Sequence, residues 1–256
     1  MRKLAVAMAK GGVGKTSTAV NLAHNLALRG QRVLLVDCDT QSQVARFLGV
    51  KPKYGLYEFV TGIDNKGRQI SKSEAIYEAR DNLWILAGGI GLVELKNWLG
   101  EQPRDIRHAI LLSHLTPKED SLDWLIFDCS PGWDILSVNI LMAVKEVLCP
   151  VALESPSMEG LKTFFTYLVS VQKINKDLRL KYILPTMYDR RTKHGENILK
   201  QLERLFVREI CDPIVRSIRV PEAAGLGKTV FEYAPKTVGA LDYHLLAERI
   251  LSDGEK

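Results

Sequence analysis

The sequence has little of what marks several protein classes. Its four cysteines, Cys38, Cys129, Cys149 and Cys211, stand far apart and form no CxxC pair. Its five histidines form neither HExxH nor HxxxH. No thiolate or imidazole metal centre has a spaced ligand set here, and the thiols read as reduced and buried. No run approaches the roughly 20 apolar residues that a membrane-spanning helix needs. No repeat, low-complexity tract or Pro/Gly/Ser-rich linker interrupts the chain, so one domain over residues 1–256 is expected. The basic start and short apolar run lead at once into glycines, without the cleavage site of a secretory signal. The expectation is a cytoplasmic protein.

What is present is an ordinary globular mixture, 46% hydrophobic and 25% charged, which excludes a disordered tail, a collagen-like repeat and a coiled-coil rod. The net charge is +5. The window 173–219 holds twelve Lys and Arg against six Asp and Glu, so it carries +6 and the rest of the chain −1. A basic face of this kind fits a polyanion partner or a solvated surface with no partner at all.

Strand-length apolar runs occupy residues 3–8, 32–36, 83–86, 124–127, 146–151, 179–184 and 209–215. Several lack alternation, as parallel strands covered on both faces do. Helical patterns lie between them, at 16–29, 135–144, 158–175, 196–206 and 239–251. Strand–helix alternation predicts an α/β fold with a single doubly wound, mostly parallel sheet and helices on both faces. Ligands of such folds bind beyond the C-terminal strand ends.

The strongest local signal is Lys10-Gly11-Gly12-Val13-Gly14-Lys15-Thr16, followed by Ser17, between the first strand and the first helix. That context makes it a phosphate loop. Glycines let successive amides turn toward phosphate oxygens, and the helix N-terminus adds positive potential. Lys15 reaches the β- and γ-phosphates and the Thr16 hydroxyl binds Mg²⁺. A second string, Gly225-Leu226-Gly227-Lys228-Thr229, has Glu222 in place of the leading glycine and no strand before it; it reads as a surface turn between short helices.

The second strand ends in Asp37-Cys38-Asp39. It is expected beside the first strand, with both carboxylates pointing the same way toward the phosphate loop. Trp124-Leu125-Ile126-Phe127-Asp128 is an apolar strand ending in a carboxylate that holds Mg²⁺, the Walker B pattern.

The loop departs from the usual P-loop: Ala9 replaces the first glycine, and Lys10 is an added lysine. KGGVGKT resembles the deviant Walker box of the ParA/MinD/nitrogenase-iron-protein ATPases. The resemblance implies that Lys10 crosses a dimer interface to the partner's nucleotide, and that ATP joins a sandwich dimer. VLLVDCDTQSQVARFLG at 33–49 resembles that family's first switch, with Thr40 replacing proline and Ser42-Gln43 replacing Gly-Asn. The match implies that Asp39 orients the attacking water and that Asp37 supports the metal shell. Asp128-Cys129-Ser130-Pro131 is similar to the second switch.

Residues 150–161 (PVALESPSMEGL) resemble the segment opening the family's helical arm. Residues 184–192 (LPTMYDRRT) and 215–223 (VRSIRVPEA) resemble the partition branch, ParA itself. Matching blocks span about residues 3–250. The resemblance implies adenine contacts from Met187, Val215 and Ser217, and nonspecific DNA contacts from Arg190, Arg191, Arg216 and Arg219. It also implies a ParB-like adaptor that stimulates hydrolysis and a nucleoid-associated location. The alternative for the arginines is intramolecular pairing with Asp189, Glu196 or Asp212.

The chain's acidic, short end does not resemble the basic amphipathic anchor of a MinD-type protein, and Cys129 does not resemble a 4Fe–4S ligand arrangement. Two rivals stay open: a MinD or flagellar-type ATPase at the membrane, and a metabolic P-loop ligase or kinase.

Overall fold

The computed structural model describes residues 1–115, 121–154 and 157–254. Among these, seven strands form one sheet: β1 (Arg2–Val6), β2 (Val33–Cys38), β3 (Tyr77–Arg80), β4 (Leu83–Leu86), β5 (Trp124–Cys129), β6 (Glu146–Ala152) and β7 (Arg179–Thr186). Their order is β3-β4-β2-β5-β1-β6-β7. Every neighbouring pair is parallel except β3 with β4.

The helices before β5 are α1 (Lys15–Leu28), α2 (Gln43–Phe47), α3 (Leu56–Thr61), α4 (Lys72–Ala75), α5 (Gly91–Glu101) and α6 (Ile110–His114). After it come α7 (Ile135–Ala143), α8 (Ser157–Gln172), α9 (Lys193–Leu205), α10 (Arg219–Gly225), α11 (Val230–Tyr233) and α12 (Val238–Ser252). Ser155 and Pro156, in the segment before α8, and the last two residues lie outside the described residues.

The central strands read as unbroken apolar runs because both their faces are covered. Leu34, Val36, Leu125 and Phe127 pack on one face under α5, α7 and α8. Their sequence neighbours Val33, Leu35, Trp124 and Ile126 pack on the other, under α1 and α12. The period of two thus sorts one strand into two cores. This is the doubly wound α/β fold that the alternation predicts. α9 shows the helical counterpart: Gly195, Ile198 and Leu202 make its buried stripe, and most of the other positions are polar or charged.

Three expectations change. β2 does not lie beside β1; β5 is inserted between them and pairs with both. The strand seen in 209–215 is only two isolated bridges, Ile183 with Ile210 and Tyr188 with Val215. Pro213 between them has no amide to donate, which interrupts the ladder. β3 was not foreseen. It is a four-residue antiparallel edge with a register shift between Glu78 and Arg80, too short and too polar for a periodic signal.

The string Gly225–Thr229 is a turn between α10 and α11, as expected. Gly227 backs onto Gly49 so closely that a Cβ at either would press on the other's backbone. All four cysteines are free and buried.

Candidate nucleotide site

β1 runs out at Val6, and the loop turns into α1 at Lys15. Gly12 and Gly14 have φ of 73° and 85°, the left-handed region that favours glycine. The loop is tied to the far side of the sheet by the Thr186 hydroxyl, which donates to the Val13 carbonyl at 2.9 Å. Lys15 is 7% exposed, and its Nζ donates to the Lys10 carbonyl at 2.8 Å. Burial lowers its pKa, and Asp128 is the main charge opposing that shift.

A cleft of about 580 Å³ opens over this loop. Gly11, Gly12, Gly14, Lys15, Thr16 and Ser17 form one wall. Asp39 and Gln41 come from the β2–α2 loop, Ser130 and Pro131 follow β5, and Met187 follows β7 with φ of 55°. Every contributor except Lys96 lies at or beyond the C-terminal end of a strand. Lys96, on α5, also lines the cleft. Nothing in the sequence pointed to it, because it belongs to no motif.

Lys10 does not line this cleft; its side chain passes beside Gly160 at the start of α8, where a Cβ would lie 3.6 Å from Lys10 Cβ. Val215 and Ser217 are also outside the lining. The Val215 amide donates to Asp242 Oδ2 at 2.8 Å, and Ser217 Oγ accepts from the Arg219 amide at 3.2 Å.

The three carboxylates do different things. Asp37 is fully buried; its Oδ1 accepts from the Asp39 amide at 2.9 Å and its Oδ2 from the Val44 amide at 3.0 Å. Burial pushes its pKa up to about 6 despite these bonds. Asp39 lies past the strand end, in the cleft, and its Oδ1 accepts from the Gln41 amide at 2.9 Å. Asp128 is buried, and neither of its carboxylate oxygens meets a donor at hydrogen-bonding geometry. Its pKa is driven well up, first by burial and then by Asp37, with Thr16 and Lys15 opposing.

A buried carboxylate with no donor, beside a threonine hydroxyl, offers the hard oxygen ligands that a divalent cation takes. Thr16 and Asp128 therefore fit Mg²⁺, with Asp37 bracing the loop behind them. No group of three or more His, Cys, Asp or Glu side chains forms an all-protein metal cage among the described residues.

An AAA domain family matches residues 1–180. The chain is 34% identical to the chromosome-partitioning ATPase Soj of Thermus thermophilus over 254 residues, covering 98% of this chain and 96% of that protein. It is 32% identical to the sporulation initiation inhibitor protein Soj of Bacillus subtilis, covering 98% of each. The chain belongs to the ParA/Soj ATPase family.

Solved structures agree with this ParA/Soj fold. Cobyrinic acid a,c-diamide synthase from Mycobacterium smegmatis, with bound ADP and magnesium, superposes with a TM-score of 0.84 at 29% identity. That match covers 100% of this chain and 96% of the other. The cell division ATPase MinD of Pyrococcus furiosus, at 22% identity and a TM-score of 0.73 over 98% of each chain, shares the fold.

Arg190, Arg191, Arg216 and Arg219, in the basic window of this ParA/Soj chain, are all exposed. Arg191 pairs with Asp189 at 2.7 Å, Arg216 with Glu154 at 3.3 Å and Arg219 with Glu222 at 2.8 Å. Of the pairings anticipated from sequence, only the one with Asp189 forms; Glu196 pairs with Lys200 instead. The Arg191 guanidinium holds the Asp189 carboxyl far below the usual carboxylate range. Exposed pairs of this kind are weak and salt-screened, so the arginines stay available to phosphates. No described helix is long and apolar enough to cross a membrane.

Proposed function

We propose that this chain, acting as one ATPase domain over residues 1–256, is a Mg²⁺-dependent partition ATPase that positions or segregates a cargo. ATP joins two copies, the dimer binds DNA regardless of sequence, and a ParB-like adaptor stimulates slow hydrolysis and release. The cytoplasm, on the nucleoid, is where such a protein works. The observation that carries the reading is the cleft: Lys15, Thr16 and Asp39 line it and the donorless Asp128 carboxylate stands behind it. The near full-length similarity to Soj supports the same reading.

In this reading the amides of Gly11 to Gly14 and the Lys15 ammonium bind the phosphates, with Ser17 beside them. Thr16 and Asp128 hold Mg²⁺, which when bound offsets phosphate charge. Asp39 orients the attacking water, and Asp37 keeps the Asp39 backbone in place. Lys10, directed away from its own cleft toward α8, reaches the partner's nucleotide. Met187 contacts the base from the cleft wall, and Val215 and Ser217 shape the loop beyond it.

Arg190, Arg191, Arg216 and Arg219 contact DNA phosphates, so affinity falls steeply with salt and hardly varies with sequence. Filter binding in ATP tests this. The expected result is salt-sensitive binding by wild type, weakened in Arg191→Glu and Arg219→Glu while ATP-driven dimerisation persists. Wild-type protein that shows no salt-sensitive binding overturns the DNA reading.

The likeness to a diamide synthase supports a second reading, a metabolic ligase. Rapid ATP turnover with a small metabolite and no protein partner would favour it.

A further inference from the structure

Among the described residues lining the cleft, two carry positive charge, Lys15 and Lys96, and one carries negative charge, Asp39. Lys96 therefore doubles the number of lysines that one protomer's own cleft offers a bound polyphosphate. Its Nζ lies 2.7 Å from Asp134 Oδ2. Asp134 caps α7, accepting from the Ser137 amide at 2.9 Å and the Ser137 hydroxyl at 3.1 Å. It stands three residues past Pro131, the end of the second switch.

The helix that carries Lys96 is anchored to the first switch just before its N-terminus. The Gly89 amide donates to the Asp39 carbonyl at 3.0 Å, and Gly88 packs so tightly against the Asp39 carbonyl and the Asp37 carboxylate that it has no room for a Cβ. α5 thus spans both switch segments, and Lys96 is its one cationic contact with the cleft among the described residues.

We propose that Lys96 is a second phosphate-binding lysine, parked on Asp134 until a triphosphate takes it, and that the exchange frees the second switch from α5. The inference rests on the ATPase reading above. The pair is suited to exchange. Lys96 and Asp134 side chains are 25% and 35% exposed, so water and phosphate reach them, and the attraction between them is partly screened. Asp134 keeps its cap bonds through Oδ1 when Oδ2 loses the lysine. A terminal phosphate carries more charge than one carboxylate, so it wins the ammonium. A diphosphate reaches less far across the cleft and leaves the pair closed. Lys96 would then sense the presence of the third phosphate.

Calorimetry with ADP and with a non-hydrolysable ATP analogue, in Mg²⁺, tests the proposal. Lys96→Met keeps the aliphatic stem and removes the charge. It is expected to lower analogue affinity roughly tenfold, with little change for ADP. Lys96→Arg should restore most of the loss. Asp134→Asn keeps the helix cap and releases Lys96, so analogue affinity should equal or exceed wild type. If Lys96→Met leaves the ratio of the two affinities unchanged, Lys96 touches no terminal phosphate and the proposal fails. If Lys96→Met and Asp134→Asn weaken both nucleotides alike, the pair only holds α5 to α7, and the proposal also fails. Lys15→Ala distinguishes the underlying reading, since it should lose both nucleotides. Its retention of normal affinity would overturn the phosphate-loop assignment itself.

Discussion

Asp37 and Asp128 occupy partnered positions on the adjacent strands β2 and β5, and they are hydrogen-bonded in opposite ways. Asp37 accepts two amides, from Asp39 and Val44. Asp128 accepts none. One carboxylate is therefore a fastener for the loop after β2, and its neighbour is left without a donor, as the proposed Mg²⁺ role needs.

The fastener leads to a pH prediction. The Asp37 carboxyl is held at about 6 against an ordinary 3.8. Between those values the folded chain keeps a proton that the unfolded chain has released. The stabilising contribution is complete below pH 3.8 and is lost as pH rises through about 6. Its size is about 3 kcal/mol. Asp37→Asn removes it, so in Mg²⁺-free buffer the variant should gain on wild type by that amount between about pH 4 and about pH 7. Denaturant titrations giving a constant difference across that range would disprove the assignment.

The Asp39 side chain accepts only the Gln41 amide and stands in the cleft. Asp39→Ala should bind ATP and Mg²⁺ near normally and hydrolyse about a hundredfold or more slowly. The ATP dimer should persist on DNA. Loss of ATP binding in this variant would make Asp39 structural or a metal ligand.

Lys10→Ala should leave ADP binding by the monomer intact, because the side chain does not line its own cleft. ATP-dependent dimerisation should fall to background, or turnover should be lost. Light scattering that still finds the ATP dimer, together with unchanged turnover, would remove Lys10 from the interface.

Gly88 sits so close to the first switch that a Cβ there would fall on the Asp39 carbonyl oxygen and Asp37 Oδ1. Gly88→Ala should therefore displace the loop, costing about 1–3 kcal/mol of stability and slowing hydrolysis more than it weakens ADP binding. Wild-type stability and turnover would show that the loop gives way freely.

The glycines and lysines of the phosphate loop were legible in the sequence because their job is local. Gly12 and Gly14 answer to their own φ, and Lys15 and Thr16 open the helix that follows. The central strands were legible too, since burial on both faces leaves an unbroken apolar run. Their ends carried Asp37 and Asp128 to the same side of the sheet. What adjacency alone could not supply was the order of the strands. Placing β5 between β1 and β2 pairs residues 37 and 128, and the reward for that pairing lies in hydrogen bonds and packing between distant segments. The edge strand β3 stayed hidden because its pattern is polar and four residues long. Lys96 stayed hidden because its partner is 38 positions away, and a helix face gives no sign of what it will meet. Sequence by itself determined the loop chemistry and the layered α/β architecture, because backbone dihedrals and burial periodicity act on near neighbours. Only the tertiary structure decided which carboxylate is satisfied and which lysines share the cleft, because those depend on donors and charges brought together from separate strands and helices.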